Sequence, residues 1–365
     1  MPWPNQSPLC EFPHDVDRDT SVHCATENGS FITAPPTTTP SSLLTLAFNI
    51  NYNGLGGEGD PDKQDGLEPI LNFIQHLSPD FVLLTEVERG CSTYDNGAAW
   101  LAARLEMDYV YAVEFISTKN SDRDEQNNME CSTGNAVLSK HPLDNPKFTR
   151  FDDQCCWYEN RASGRSAISA VAKVGTSNVV ISSGHYESGN EDVWLPAVFT
   201  RGGQARQQAK DVKGLCEKYG CTAAILGGDF NSPFRSSDPV SFPLRFAGFL
   251  DAHHSTPFDE RRTIEGVDVE ASFKDNFGLD TLDYIYTWKA RSNKAGVCHD
   301  PELCHGWSDH TSVWTETDIG GVGAITYNKA ALKNIGSDPN AEPYKANWLI
   351  VGSNLLLGWE GGIYA

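Results

Sequence analysis

Gly227-Gly228-Asp229-Phe230-Asn231-Ser232-Pro233-Phe234 follows directly on the apolar run Ala223-Ala224-Ile225-Leu226, which reads as a short buried strand. The two glycines let the backbone turn with no side chain in the way. Asp229 comes next, and Asn231 two residues later. Residues i and i+2 of an extended segment share a face, so a carboxylate and a carboxamide project together from a strand end. A carboxylate can handle a proton or a metal, and an amide N–H can donate to a phosphoryl oxygen, so the pair suits phosphoester chemistry. Gly, Asp, Asn, Ser and Pro also make ordinary polar turns. The stretch therefore takes its meaning from what surrounds it.

Working outward, residues 43–49 read as a buried strand. Leu67, Ile70, Leu71, Ile74 and Leu77 recur at helical spacing, and residues 81–85 form a second buried strand ending at Glu86. Strand, amphipathic helix and strand in that order make a crossover unit of an α/β or mixed-sheet protein. A short helix is expected over 98–105 and strands over 109–115 and 135–139. A hairpin is expected from 167–174 and 178–183 across Gly175-Thr176. Residues 204–219 carry Ala205, Ala209, Val212 and Leu215 on one helical stripe, and further strands are expected over 282–288 and 311–315. Residues 117–133 and 252–280 are polar and read as loops. The expected organisation is a polar tail and Pro/Thr linker over 1–40, a folded domain over 41–318 and an extension over 319–365. The apolar piece at 348–359 is broken by Gly and Asn and followed by Glu360, so no stable membrane span is expected.

With 49 acidic and 28 basic residues the chain carries a net charge of −21, which repels polyanions at long range and keeps a protein soluble. Its ten cysteines include Cys216 with Cys221, Cys298 with Cys304, and adjacent Cys155-Cys156, none with zinc-site spacing. Disulfides and a secreted protein are expected, and the sequons at Asn5 and Asn28 agree with that. The start, Met-Pro-Trp-Pro-Asn, lacks the features of a signal peptide and fits a mature form with an added Met.

Several buried strands end in or open on a polar residue. Asn49 closes the first and Glu86 the second. His185 follows Ser182-Ser183-Gly184, Asp283 opens Asp283-Tyr284-Ile285-Tyr286, and Asp309-His310 precede the last strand. Strand ends on one rim are where sites assemble in α/β proteins. Each residue has an ordinary explanation: a turn cap for Asn49 or Asp309, a surface ion pair for Glu86, a satisfied core histidine for His185, a backbone-bonding carboxylate for Asp283. Together they form an ordered set of hard oxygen ligands, two imidazoles and two amides. With Phe48-Asn49-Ile50, Leu84-Thr85-Glu86-Val87, the run from Gly134 through Asn135 to Pro142, Gly184-His185-Tyr186, Gly227-Gly228-Asp229-Phe230-Asn231, Leu282-Asp283-Tyr284-Ile285 and Ser308-Asp309-His310, this set resembles the endonuclease/exonuclease/phosphatase superfamily. That superfamily includes pancreatic-type deoxyribonucleases, apurinic endonucleases, inositol polyphosphate phosphatases and neutral sphingomyelinases.

The resemblance spans about residues 43–316 and implies an α/β (α+β) fold, a four-layer α/β/β/α sandwich of two mixed sheets flanked by helices, with a site at one end. It implies a divalent metal held by Glu86 with Asn49 and Asp309 nearby. Oxygen ligands of this kind suit Mg²⁺, with Mn²⁺ or Ca²⁺ as alternatives. It assigns His185, Asn231 and His310 to the scissile phosphate, and Asp283 to His310 as its orienting partner. Asp229 would orient or deprotonate the attacking water, or protonate the leaving oxygen. Asn135 and Arg165 would support the phosphate pocket. Glu130 and Glu187 are the candidates for an acid behind His185. The segment Trp194-Leu195-Pro196-Ala197-Val198-Phe199 lies outside the family pattern and reads as a buried loop anchor, or else a lipid-facing patch. Substrate choice resides in such loops, so nucleic acid, a phospholipid headgroup, an inositol phosphate and a small phosphodiester all stay open. The expectation is an extracellular, monomeric, metal-dependent phosphoesterase. The alternatives are a secreted endonuclease, a sphingomyelinase-like lipid phosphodiesterase, or a non-catalytic binding module on the same fold.

Overall fold

The computed structural model describes residues 26–32, 40–54, 66–90, 94–116, 132–154, 164–188, 194–232, 240–253, 263, 281–298, 308, 310–319, 349–351 and 355–357. The chain divides into two compact units, Met1–Gly321 and Val322–Ala365. In the first unit, β1 (Thr26–Gly29), β2 (Ser42–Asn49) and the single turn α1 (Asn51–Gly54) lead to α2 (Leu67–Leu77), β3 (Phe81–Arg89) and α3 (Gly97–Leu105). Strands β4 (Asp108–Ile116), β5 (Ser132–Ser139), β6 (Leu143–Arg150), β7 (Ser166–Val174) and β8 (Ser177–His185) precede the long helix α4 (Trp194–Tyr219). The order continues with β9 (Ala223–Asp229), α5 (Ser241–Phe246), β10 (Leu250–Asp251), β11 (Asp283–Trp288), β12 (Arg291–Val297) and β13 (Val313–Asp318). The second unit holds an antiparallel pair, Leu349–Val351 with Leu355–Leu357.

Two mixed sheets form, ordered β1-β4-β5-β3-β2-β13-β12 and β10-β11-β9-β8-β7-β6. The parallel pairs β2·β3 and β8·β9 are those whose connections carry α2 and α4, as a crossover requires. Three cores follow from these layers. Leu46, Phe48, Val82 and Leu84 meet Leu67, Ile70, Phe73 and Ile74 of α2. Ala47, Leu83 and Val137 meet Ile168, Ile181 and Ile225 between the sheets. Val180, Leu226 and Tyr286 meet Ala205, Ala209 and Val212 of α4. This is the four-layer α/β/β/α sandwich. A strand covered on both faces is apolar along its whole length, and β9 is buried at every position.

Three expectations change. Thr26–Gly29, inside the polar stretch 1–40, forms an edge strand on β4, with Glu27 accepting hydrogen bonds from Arg89 Nε at 3.1 Å and Tyr109 Oη at 2.9 Å. The run 194–199 is no loop anchor: it opens α4, burying Ala197 and Val198 and leaving Phe199 53% exposed. Glu86 does not end its strand, which continues to Arg89. Most of the loops expected at 117–133 and 252–280 lie outside the described residues.

Candidate active site

Topology brings the polar strand ends together. Asn49, His185 and Asp229 are the last residues of β2, β8 and β9, all parallel to a neighbour. Asp283 begins β11, which runs antiparallel to β9 and pairs Asp283 with Asp229. His310 lies just before β13, antiparallel to β2. Carboxyl ends of one set of strands and amino ends of the other therefore meet on one rim.

Two acids reach this rim through β-bulges. The pairing of β3 with β5 skips between Leu84 and Val87, and Glu86 sits in that irregularity with φ 57°. A left-handed Glu is uncommon and re-aims its side chain. Beside the bulge, the Leu84 carbonyl accepts the Ser183 hydroxyl of the other sheet at 2.9 Å. The pairing of β4 with β5 skips between Val113 and Phe115, leaving Glu114 as the extra residue. The approach to Asp229 needs glycine: Gly228 has φ 130°, and a Cβ there would run into the Gly184 carbonyl.

Asp229 is the hub. Its Oδ2 accepts from Asn49 Nδ2 at 3.0 Å and lies 3.4 Å from His185 Nε2 and 3.8 Å from His310 Nε2. Its Oδ1 accepts the Asn231 N–H at 2.8 Å. Asn231 Nδ2 donates to the Tyr186 carbonyl at 3.0 Å. Burial works to raise the Asp229 pKa, but His310 and His185 prevail and hold it well below the usual carboxylate range. Held as a carboxylate among two imidazoles and an amide, it is placed to orient water.

Each histidine has its own buried acid. His310 Nδ1 lies 2.7 Å from Asp283 Oδ2, as the resemblance implied. Burial pushes Asp283 up to about 6, with His310 pulling the other way. His185 Nδ1 lies 3.0 Å from Glu114 Oε2. Burial and Arg165 pull the His185 pKa down, but Glu114 and Asp229 outweigh them and it stands at about 9. The acid behind His185 is thus Glu114, not Glu187, whose backbone instead bonds Gln204 and Arg201; Glu130 lies outside the described residues. One signal was available: Glu114 is the only charged side chain in Tyr109-Val110-Tyr111-Ala112-Val113-Glu114-Phe115.

Arg165 Nη1 donates to Glu114 Oε1 at 2.7 Å and lies 2.7 and 2.6 Å from the two ring nitrogens of His185. Asn135 takes a different place from the one expected. Its Nδ2 donates to the Ser166 carbonyl at 3.0 Å and to Ser166 Oγ at 3.1 Å, so it braces the residue after Arg165. Ser308 adds a tie: its hydroxyl donates to the Asn49 carbonyl at 2.7 Å and accepts the His310 N–H at 3.0 Å. Asp309 lies outside the described residues.

Glu86, His185 and Asp229 offer ligand atoms within 4.8 Å of one another, as do Asp229, Asp283 and His310. The Glu86 carboxylate is 19% exposed, with His185 Nε2 3.9 Å away. Burial raises its pKa, against the pull of His185, His310 and Arg165. An acid whose charge is disfavoured by burial, beside a second carboxylate, fits a hard divalent cation that would offset both charges.

The model of the Endonuclease/Exonuclease/phosphatase family matches residues 46–310, from the core of β2 to His310. The chain belongs to the endonuclease/exonuclease/phosphatase family. It is accordingly a hydrolase of phosphoester bonds. Its fold is similar to that of an endonuclease/exonuclease/phosphatase from Beutenbergia cavernae DSM 12333, at 17% identity and TM-score 0.58, covering 77% of this chain and 72% of that one. It is also similar to the human Nocturnin catalytic domain with bound sulfate anion, at 19% identity and TM-score 0.53, covering 78% and 99%. A third likeness is a family protein from Leptotrichia buccalis C-1013-b, at 15% identity and TM-score 0.52, covering 76% and 99%. No curated protein matches the chain.

Proposed function

We propose that this family member is an extracellular, divalent-metal-dependent phosphodiesterase that cleaves by in-line attack of water. The observation that carries the reading is the convergence on Asp229 of two imidazoles, each backed by its own buried acid. Asp229 orients the attacking water through Oδ2, held by Asn49 and Asn231. His185, its pKa at about 9, enters the reaction as the imidazolium and donates toward the phosphoryl oxygens, as does His310 with Asp283 behind it. Arg165 adds a fixed guanidinium beside His185. Glu86 and Asp309 would hold the cation, with Asn49 beside them, and Mg²⁺ matches such oxygen donors. When bound, the ion offsets charge on the phosphoryl group and lowers the pKa of water.

The extracellular assignment is supported by the Cys216–Cys221 disulfide, by the oxidised state of Cys298, and by the acidic surface. Cys304, the expected partner of Cys298, lies outside the described residues. Among the described residues no helix is long and apolar enough to cross a membrane. The reading includes a monomer acting on nucleic acid, a phospholipid headgroup or a small phosphodiester. A panel of phosphomonoesters and phosphodiesters of these classes, assayed after chelation and after restoring Mg²⁺, tests it. Diester hydrolysis that needs Mg²⁺ supports it; metal-independent or monoester-only turnover sinks it.

A further inference from the structure

We propose that Gln204, in the middle of α4 and remote from the reacting atoms, is the positioning residue for the Arg165–His185 pair. This rests on the phosphodiesterase reading above.

Besides its bond to Glu114, Arg165 is gripped from two sides. Gln154, after β6, holds its backbone: Oε1 accepts the Arg165 N–H at 2.8 Å and Nε2 donates to the Arg165 carbonyl at 2.8 Å. Ser188, after β8, holds its side chain, with Nη2 donating to Oγ at 3.0 Å. Strand-like pairing runs on as far as Phe151 and Tyr186, whose N–H groups donate to the Arg165 carbonyl at 3.1 Å and the Asp229 carbonyl at 2.9 Å, and it leaves the spacing of Gln154 and Ser188 beyond them to other contacts.

Gln204 sets that gap. Its Oε1 accepts the Glu187 N–H at 2.8 Å, and its Nε2 donates to the Asp153 carbonyl at 2.9 Å. A single buried carboxamide thus runs from the residue before Ser188 to the residue before Gln154. Only an amide offers an acceptor and a donor at this fixed separation, to match one N–H and one C=O. Neighbours on α4 fasten the same segments. Arg201 Nη1 donates to the Glu187 carbonyl at 3.1 Å, and Gln207 accepts the Asp152 N–H at 2.8 Å. Gln208 accepts the Tyr186 hydroxyl and donates to Ser182 Oγ at 2.7 Å. Gln204 joins the two segments that grip Arg165. Its loss lets them separate and shifts the guanidinium relative to His185, with the bond to Glu114 left to hold it.

The test uses the full chain with Mg²⁺ and bis(p-nitrophenyl) phosphate as probe. Displacements of about 1 Å at a reacting centre cost up to ~10²-fold, so Gln204→Leu should lower kcat/KM by roughly 10–100-fold. Combined with Arg165→Ala, it should add little to the loss from Arg165→Ala alone. Gln204→Glu keeps the acceptor end, and burial favours the protonated carboxyl that can still donate to the Asp153 carbonyl, so it should fall between wild type and Gln204→Leu. In protein labelled with ¹⁵N-histidine, the His185 ring resonances should shift in both variants while those of His310 stay. Losses that multiply in the double variant, or unmoved His185 resonances in Gln204→Leu, overturn the proposal. A wild-type protein inactive on the probe would refute the phosphodiesterase reading instead, and the resonances would then decide the role of Gln204 by themselves.

Discussion

Replacing Asp283 by Asn removes one charge from the pair with His310 and nothing else of its shape. The His310 Nδ1 to Asp283 Oδ2 distance is 2.7 Å, and the Asp283 side chain is wholly buried. At an effective dielectric constant of ~20, two unit charges this close attract by about 6 kcal/mol. Desolvation of the pair offsets much of that, and a carboxamide oxygen still accepts the Nδ1–H. About 2–3 kcal/mol of transition-state stabilisation is then lost, or ~30–150-fold in kcat. His310→Ala removes the imidazole itself and should cost ~10²–10³-fold. The double variant should lose little beyond His310→Ala, a coupling of about 2 kcal/mol. Because burial lifts Asp283 to about 6, lowering the pH through that value protonates it and weakens the pair, so wild-type kcat should fall there. That acid limb should flatten in Asp283→Asn. Steady-state hydrolysis of bis(p-nitrophenyl) phosphate across pH, with thermal midpoints to verify the fold, measures all four quantities. Losses that multiply in the double variant would refute the pairing.

Glu86→Gln should melt like wild type, bind Mn²⁺ more weakly by calorimetry and lose metal-dependent turnover by ~10²-fold or more; full activity would remove Glu86 from the mechanism. The raised pKa of His185 means the folded state takes up its proton more readily than the unfolded chain, whose value is 6.5. That stabilisation is complete below 6.5, is lost as pH rises through about 9, and is on the order of 3 kcal/mol. His185→Gln should therefore flatten the fall in denaturation midpoint between neutral and alkaline pH, and an unchanged slope would count against the linkage. Thiol titration of unfolded, unreduced protein should find few free thiols, whereas a large free fraction of the ten cysteines would argue against an oxidising compartment.

The nine inner strands of the two sheets were legible in the sequence because each is buried on both faces or nearly so. Ile225-Leu226 and Phe81-Val82-Leu83-Leu84 show the consequence: burial leaves no position for a polar residue until the strand reaches the rim. The polar residue that ends or opens such a run is then conspicuous, and Asn49, Asp229, Asp283 and His310 were found that way. The four edge strands, β1, β6, β10 and β12, left no comparable mark. Leu143-Asp144-Asn145-Pro146-Lys147 and Arg291-Ser292-Asn293-Lys294 face solvent, and only the pairing of a neighbouring strand makes them extended.

The site divides along the same line. Chain order marked Asp229, Asp283 and His310 as polar residues at strand ends, and the family resemblance implied the Asp283–His310 pair, whose backbones are set by regular sheet register. Tertiary structure alone decided what irregular backbone controls. Glu114 becomes the partner of His185 because a bulge in β4 turns it inward, and alternation along a strand cannot foresee a bulge. The same limit applies to Asn135, whose amide is claimed by Ser166 on the opposite sheet, and to Gln204, whose two partners lie in segments distant in sequence from each other. Periodicity fixes the face on which a side chain stands; the contact it makes across layers is fixed only when the layers pack.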